Sequence, residues 1–213
     1  MISAVVAIFA VVSFGAPTAH ADEPRELIEK KTLDNGLEVI VISDPSLPIT
    51  TIEIAVKNGA FTEPPKYNGL SHLYEHMFFK GNAVIPNQEA YLERMRELGI
   101  VFNGTTSTER VNYFFTLPAS NLEAGLEFMY NAITSPKFDA REFEKEKQVV
   151  LGEIDRNESN PYYWFREEME EYLWYEHPSR KDPLGDRKTV TSATVDQMKT
   201  MKKRYYVPNN SAL

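Results

Sequence analysis

Beyond residue 21 the sequence holds three histidines, His72, His76 and His177. Two of them stand in the segment His72-Leu73-Tyr74-Glu75-His76. On a helix, residues four apart are turned by only about 40°, so both imidazoles leave the same face. A metal ion about 2.0–2.1 Å from each ring nitrogen can bridge them. Glu75 lies between the two and can approach a metal-activated water without being a ligand. This is the H-x-x-E-H order, the reverse of H-E-x-x-H. The chemistry it suits is hydrolysis: zinc makes water acidic enough to ionise near neutral pH, and a carboxylate moves the proton to a leaving amine. A His pair at this spacing also occurs on ordinary helix surfaces, so the motif needs a third protein ligand to become a catalytic site. The segment 139–157 reads as a long helix that offers Glu146 and Glu153. Seven residues apart, they point within about 20° of each other. Val149-Val150-Leu151 suggests partial burial of this helix, and a buried carboxylate is costly unless it is paired or metal-bound. Either glutamate could therefore complete the site, while Glu142, Glu144 and Glu158 fit a solvated face.

The elements that must position these residues can be read in outline. Leu27 to Thr32 and Leu37 to Ile42 read as strands around the turn signal Asp34-Asn35-Gly36. A β-branched run from Ile49 to Val56 reads as a third strand. Asn68 is placed to cap a helix from about Gly69 to Phe79, which would carry both histidines. A second helix spans Asn87 to Leu98, with Tyr91, Leu92, Met95 and Leu98 on one face, and Gly99 stops it. Thr106 to Leu117 reads as one strand. Ser120-Asn121-Leu122-Glu123 reads as a capping box for a helix reaching about Ile133. Beyond Pro161 comes a helix rich in aromatics and glutamate, from Tyr162 to Tyr175. Thr194 can cap a last helix through Tyr205, and Ser211-Ala212-Leu213 reads as the start of a strand. The fold class expected is α+β: a largely antiparallel or mixed sheet flanked by helices.

Composition sets outer limits. A chain of 213 residues with 42% hydrophobic and 25% charged content is ordinary for a globular domain. The formal charge of -8, from 23 Lys and Arg against 31 Asp and Glu, argues against nucleic acid as a partner. With no cysteine, disulfides, thiolate zinc sites and thiol nucleophiles are excluded. Residues 2–16 are almost wholly apolar and uncharged, and Ala19-His20-Ala21 forms a small-x-small cleavage pattern. Residues 1–21 therefore read as a signal peptide, too short for a membrane span, and residues 22–213 as the exported domain. Export places that domain outside the cytoplasm, in a bacterial periplasm or secreted.

The sequence from about Thr32 to Leu213 resembles the pitrilysin/insulinase family of zinc metallopeptidases, the inverzincins, and its processing-peptidase branch in particular. Leu33-Asp34-Asn35-Gly36-Leu37 is similar to the family's opening hairpin, and Asn58-Gly59-Ala60 and Glu63 precede the motif as in the family. Gly69 to Gly81 resembles the family signature. Glu153 follows His76 with 76 residues intervening, the spacing of the family's third zinc ligand. The resemblance thus implies His72, His76 and Glu153 as ligands of one Zn2+ and Glu75 as the catalytic acid/base. It makes Glu146 a supporting carboxylate of the catalytic set. Asn103-Gly104-Thr105-Thr106-Ser107 resembles the segment whose backbone pairs with an extended substrate, with Asn103 contacting that substrate and Gly104 beside it. His177 and Tyr205 to Asn210 match positions that look structural. Gly104 stands where Ala is usual, and Val111 where Thr is usual.

What the resemblance implies is a metalloendopeptidase acting on peptides or unfolded polypeptide segments. A homologous second domain or partner subunit would complete the site, and the chain would be the N-terminal part of a longer protein. The alternative is a non-catalytic zinc- and peptide-binding subunit, of a kind this family contains. Inactive members typically lose motif residues, whereas His72, Glu75, His76 and Glu153 are all present.

Overall fold

The computed structural model describes residues 28–177 and 181–213. The expected signal peptide lies outside the described residues, as do Leu27 and His177's neighbour Pro178. Among the described residues six strands form one open sheet in the order β1-β2-β6-β3-β5-β4. β1 (Ile28–Thr32) and β2 (Glu38–Ile42) make an antiparallel hairpin, pairing Thr32 with Glu38. Its turn is closed by Leu33 and Leu37, with the Asn35 carboxamide accepting from the Leu37 amide. β3 (Ile49–Val56) pairs along its whole length with β5 (Val111–Pro118), and β5 with β4 (Val101–Thr106), both antiparallel. The short β6 (Ser211–Ala212) runs parallel to β2 and antiparallel to β3. The sheet is therefore mixed and mostly antiparallel, as its sequence pattern predicts.

One face of the sheet is apolar. Ile52, Ile54 and Val56 of β3 and Val111, Tyr113, Phe115 and Leu117 of β5 are all buried. They alternate with Thr51, Glu53, Asn112 and Thr116, as the period of two requires. Against this face pack α1 (Leu70–Phe78), which meets β4 and β5, and α3 (Leu122–Thr134), which meets β3 and β5. α2 (Gln88–Leu98) contributes Tyr91, Met95 and Leu98 to the same core. α4 (Ala140–Glu158) packs across α1, followed by α5 (Pro161–Trp174), α6 (Arg187–Ser192) and α7 (Val195–Tyr205). No helix among the described residues is long and apolar enough to cross a membrane.

Most helix starts follow local chemistry. Asn87, Asp139, Asn160, Asp186 and Thr194 each accept a backbone amide from the first turn of the helix they precede. Three expectations need correction. Ser120 to Glu123 forms no capping box; a single 3-10 turn leads into α3, and the Asn121 side chain donates to the Leu98 carbonyl. The run expected as one strand from Thr106 is two, because Ser107 and Arg110 bond to each other and turn the chain between β4 and β5. Finally, Asn68 does not cap α1; its amide donates to Asp186 instead.

The start of α1 is held from a distance. Gly69, at φ 88°, breaks into the helix, and its amide and that of Ser71 donate to the two oxygens of Glu63, at 2.9 and 2.6 Å. Burial pushes the Glu63 carboxyl up, against the hydrogen bonds from Ser71 and Gly69. Lys181 donates to the backbone carbonyls of Ala60 and Glu63 around it. Gly69 also crosses Gly185 so closely that a Cβ on Gly69 would stand 2.6 Å from the Gly185 Cα. Only glycine fits that crossing in the left-handed backbone region.

Candidate metal centre

α1 presents His72 and His76 on the face that meets α4. Their Nε2 atoms lie 3.2 Å apart. From α4, Glu153 Oε2 comes within 3.5 Å of His72 Nε2 and 3.7 Å of His76 Nε2. Among the described residues these three form the one group of His, Asp and Glu side chains close enough to hold a metal ion. Three donors separated by those distances can each sit about 2.0–2.2 Å from a common point, the range for nitrogen and carboxylate ligands of zinc. The two Nε2 atoms face each other at 3.2 Å, a spacing at which they share a proton or, with both lone pairs free, a cation. With only nitrogen and oxygen donors, this set suits zinc and fits a three-ligand site with room for water.

The protonation states agree. Burial, and then the neighbouring His76, push the His72 imidazole down to about 4. It is therefore neutral at pH 7, which is the ligating form. His76 Nδ1 donates to Glu146 Oε2 at 3.1 Å, which turns its Nε2 lone pair toward the cluster. Glu146 Oε1 in turn takes Lys80 Nζ at 2.6 Å. Burial drives the Glu146 carboxyl up, but the His76 and Lys80 hydrogen bonds outweigh it and the net shift is down. The two glutamates of α4 left open by their spacing thus divide: Glu153 reaches both histidine Nε2 atoms, whereas Glu146 holds the back of one ring.

Glu75 leaves α1 toward the sheet. Thr106 Oγ1 of β4 donates to its Oε2 at 2.5 Å. Burial raises the Glu75 carboxyl, Thr106 and His76 pull it down, and Glu153 adds to the rise. Among the described residues β4 is the edge of the sheet, paired with β5 alone. Asn103 is exposed on that edge, with its Oδ1 accepting from the Gly104 amide at 2.9 Å. By strand alternation its side chain leaves the face opposite to Gly104 and Thr106. His177 stacks edge-on against Phe61 and near Trp174. Tyr205 and Tyr206 serve packing: Tyr206 stacks on Tyr74 at 3.9 Å and bonds Tyr113, and Tyr205 donates to the Thr62 carbonyl.

Sequence reasoning left three contributors without a role. Glu63 and Thr106 act across 6 and 31 residues of chain, beyond any local pattern. Lys80 was legible in principle, because it follows His76 by four residues.

The likeness to known proteins agrees with this geometry. The sequence profile of the insulinase family, peptidase family M16, matches residues 38–186. A zinc protease of Bacillus subtilis, YmxG, is 27% identical over 183 residues, covering 86% of this chain and 44% of that protein. Human insulin-degrading enzyme is 29% identical over 182 residues, 85% of this chain and 18% of the enzyme. Among solved structures, a protease from Helicobacter pylori superposes with a TM-score of 0.81 at 26% identity, covering 87% of this chain and 45% of that one. The periplasmic protease PqqL of Escherichia coli shares the fold, with a TM-score of 0.81 at 22% identity over 88% of this chain and 21% of its own. The chain spans less than half the length of these relatives. It belongs to the insulinase family of peptidases, M16.

Proposed function

We propose that this chain is the catalytic part of a zinc-dependent metalloendopeptidase. The observation that carries the reading is the convergence of His72, His76 and Glu153 within 3.2–3.7 Å of one another, with Glu75 one helical position from His76. In it, His72, His76 and Glu153 hold Zn2+, which when bound supplies the Lewis acidity that makes water reactive near neutral pH. Glu75 takes the proton of the attacking water and returns it to the leaving amine. Glu146, braced by Lys80, fixes the orientation of the His76 ring. The open edge of β4 around Asn103 and Gly104 receives the substrate as an added strand. That mode of binding requires an extended segment, so peptides and unfolded polypeptides are the substrate class. A homologous second domain or partner subunit completes the site, residues 22–213 act as one exported domain, and the leader-like residues 1–21 direct it out of the cytoplasm.

The test is zinc content with cleavage of a quenched fluorogenic peptide pool by the full-length protein. Glu75→Gln is expected to keep about one zinc and lose about 10²–10⁴-fold in kcat. Glu153→Gln is expected to lose both metal and activity. A wild type that binds zinc yet cleaves nothing would make it the non-catalytic peptide-binding subunit. One that binds no zinc would end the metal-site reading.

A further inference from the structure

Four asparagines in this chain stand directly before glycine: Asn35, Asn58, Asn68 and Asn103. The pair is chemically special, because glycine has no Cβ to shield its amide nitrogen from the carboxamide of the residue before it. In three of the four the glycine amide is engaged elsewhere. Gly36 donates to the Leu33 carbonyl, Gly59 to Thr62 Oγ1 and Gly69 to Glu63 Oε2. Their asparagines are held away as well: Asn35 Oδ1 accepts from the Leu37 amide, Asn58 Oδ1 from Thr62 and Ser71, and Asn68 Nδ2 donates to Asp186. Asn103 is arranged differently. Its exposed carboxamide is folded over the next peptide unit, with the Gly104 amide donating to Asn103 Oδ1 at 2.9 Å. That amide takes no part in the sheet ladder. Antiparallel partners exchange bonds at alternate positions. Ser107 donates to Arg110 across the turn, so the bonded positions step back along β4 to Thr105 and Asn103. The Gly104 N–H therefore faces away from β5, on the edge that receives the substrate strand in the proposed function.

We propose that Asn103 is a site of spontaneous deamidation, through which the protein alters its own substrate edge as it ages. The Gly104 nitrogen gives up its proton and bonds to Asn103 Cγ, and the side-chain nitrogen leaves as ammonia. A succinimide ring then joins the two residues. Water opens the ring. Opening at the side-chain carbonyl restores the normal backbone with aspartate at 103. Opening at the main-chain carbonyl routes the backbone through the side chain as isoaspartate. The net reaction turns a carboxamide and water into a carboxylic acid and ammonia, with no oxidant or other reactant. Ring closure needs rotation of the Asn103–Gly104 peptide unit, which an edge strand bonded on one side permits more readily than a strand paired on both. Both products put a carboxylate on this edge, and isoaspartate also lengthens the main chain by a carbon. Strand pairing is read residue by residue, so the added carbon displaces Gly104 and its neighbours relative to β5. The consequence for cleavage rests on the peptidase reading; the reaction at Asn103 does not.

The experiment ages zinc-loaded full-length wild type and Gly104→Ala at mildly alkaline pH. Peptide mass spectrometry maps every Asn-Gly pair, with aspartyl and isoaspartyl forms separated by chromatography. A parallel wild-type sample is aged unfolded in guanidinium chloride. In folded wild type Asn103 is expected to convert about tenfold faster than Asn35, Asn58 or Asn68, because its reacting groups alone are held in contact. In guanidinium chloride the four rates are expected to converge. Gly104→Ala is expected to slow conversion at 103 by about tenfold as the Cβ shields the nitrogen, with the other three pairs unchanged. Cleavage of a fluorogenic peptide is compared with each sample's own fresh value. In wild type kcat/KM is expected to fall in step with the converted fraction, and in Gly104→Ala to hold. An intact Asn103 in the aged folded protein, a rate no higher than at Asn35, an equal rate in Gly104→Ala, or full activity in a converted sample would overturn the proposal. If fresh wild type cleaves nothing, the peptidase reading fails on its own, and the map still decides the chemistry at Asn103. Should Gly104→Ala not fold, Asn103→Gln takes its place, since its longer side chain disfavours ring closure and its activity is expected to survive ageing.

Discussion

α4 and α5 are consecutive helices separated by two residues, and they are built to opposite ends. Both open on a side-chain cap, Asp139 for the first and Asn160 for the second. α4 buries Phe143, Glu146, Lys147, Val150 and Ile154 against α1 and α6, whereas α5 buries none of its residues. Yet α5 is the more aromatic, with Tyr162, Trp164, Phe165, Tyr172 and Trp174 all exposed. A cap and good local propensity thus make a helix, but they do not make it a foundation. The groups proposed to bind metal stand on the helices that are locked from several sides. A ligand set within a few tenths of an ångström of working geometry needs that kind of support.

Two phenylalanines put the comparison to its hardest test. Phe143 on α4 is 1% exposed, so Phe143→Ala is expected to lower unfolding free energy by about 3–5 kcal/mol, the cost of a large side chain removed from a packed core. Urea denaturation measures it. A loss under about 1 kcal/mol would mean that α4 is no more anchored than α5.

The next effect lies at the start of α1. Glu63→Ala leaves the Gly69 and Ser71 amides without their acceptor in a buried place, an expected loss of about 1–3 kcal/mol for each amide left unpaired. A full-sized helix loss here, with zinc affinity falling in parallel, would show that the cap and the metal face are one unit. The same residue gives a pH signature of defined sign. Its folded pKa is raised by burial above the ordinary glutamate value of 4.5, so the folded state holds the proton more tightly than the unfolded chain. Its contribution to stability is complete below about 4.5 and is lost as pH rises through the folded value. Wild type should therefore lose stability relative to Glu63→Gln over that interval. A difference that grows with pH in the opposite direction would contradict the burial-dominated carboxyl.

How much of this the sequence disclosed follows from the range of each interaction. The His72, Glu75 and His76 face and the parallel projection of Glu146 and Glu153 are helix periodicity, and so were legible. The cap at Thr194 acts within three residues and was legible too, and the helix starts at Asn87 and Asp139 were placed though their capping roles were not named. β4 was not, because Asn103-Gly104 carries turn chemistry while its pairing with Phe114 and Tyr113 is tertiary. The different placement of Glu146 and Glu153 depends on Lys80, which holds Glu146, and on the packing of α4 against α1. Periodicity places two carboxylates on one face; it cannot tell which of them reaches a histidine's front and which its back.

The smallest expected effect completes the pair. Phe165 on α5 is 61% exposed, so truncation removes little apolar surface from the folded core. Phe165→Ala is expected to change unfolding free energy by no more than about 0.5 kcal/mol, as for surface positions in general. Zinc content should be unaffected, since α5 supplies none of the three candidate ligands. The same urea titration that measures Phe143→Ala reads it directly, at a concentration series that keeps self-association in view. A loss approaching that of Phe143→Ala would mean that the α5 aromatic face is covered in solution by something that binds the native state only. The contrast between the two helices would then be one of partners, and not of packing within this chain.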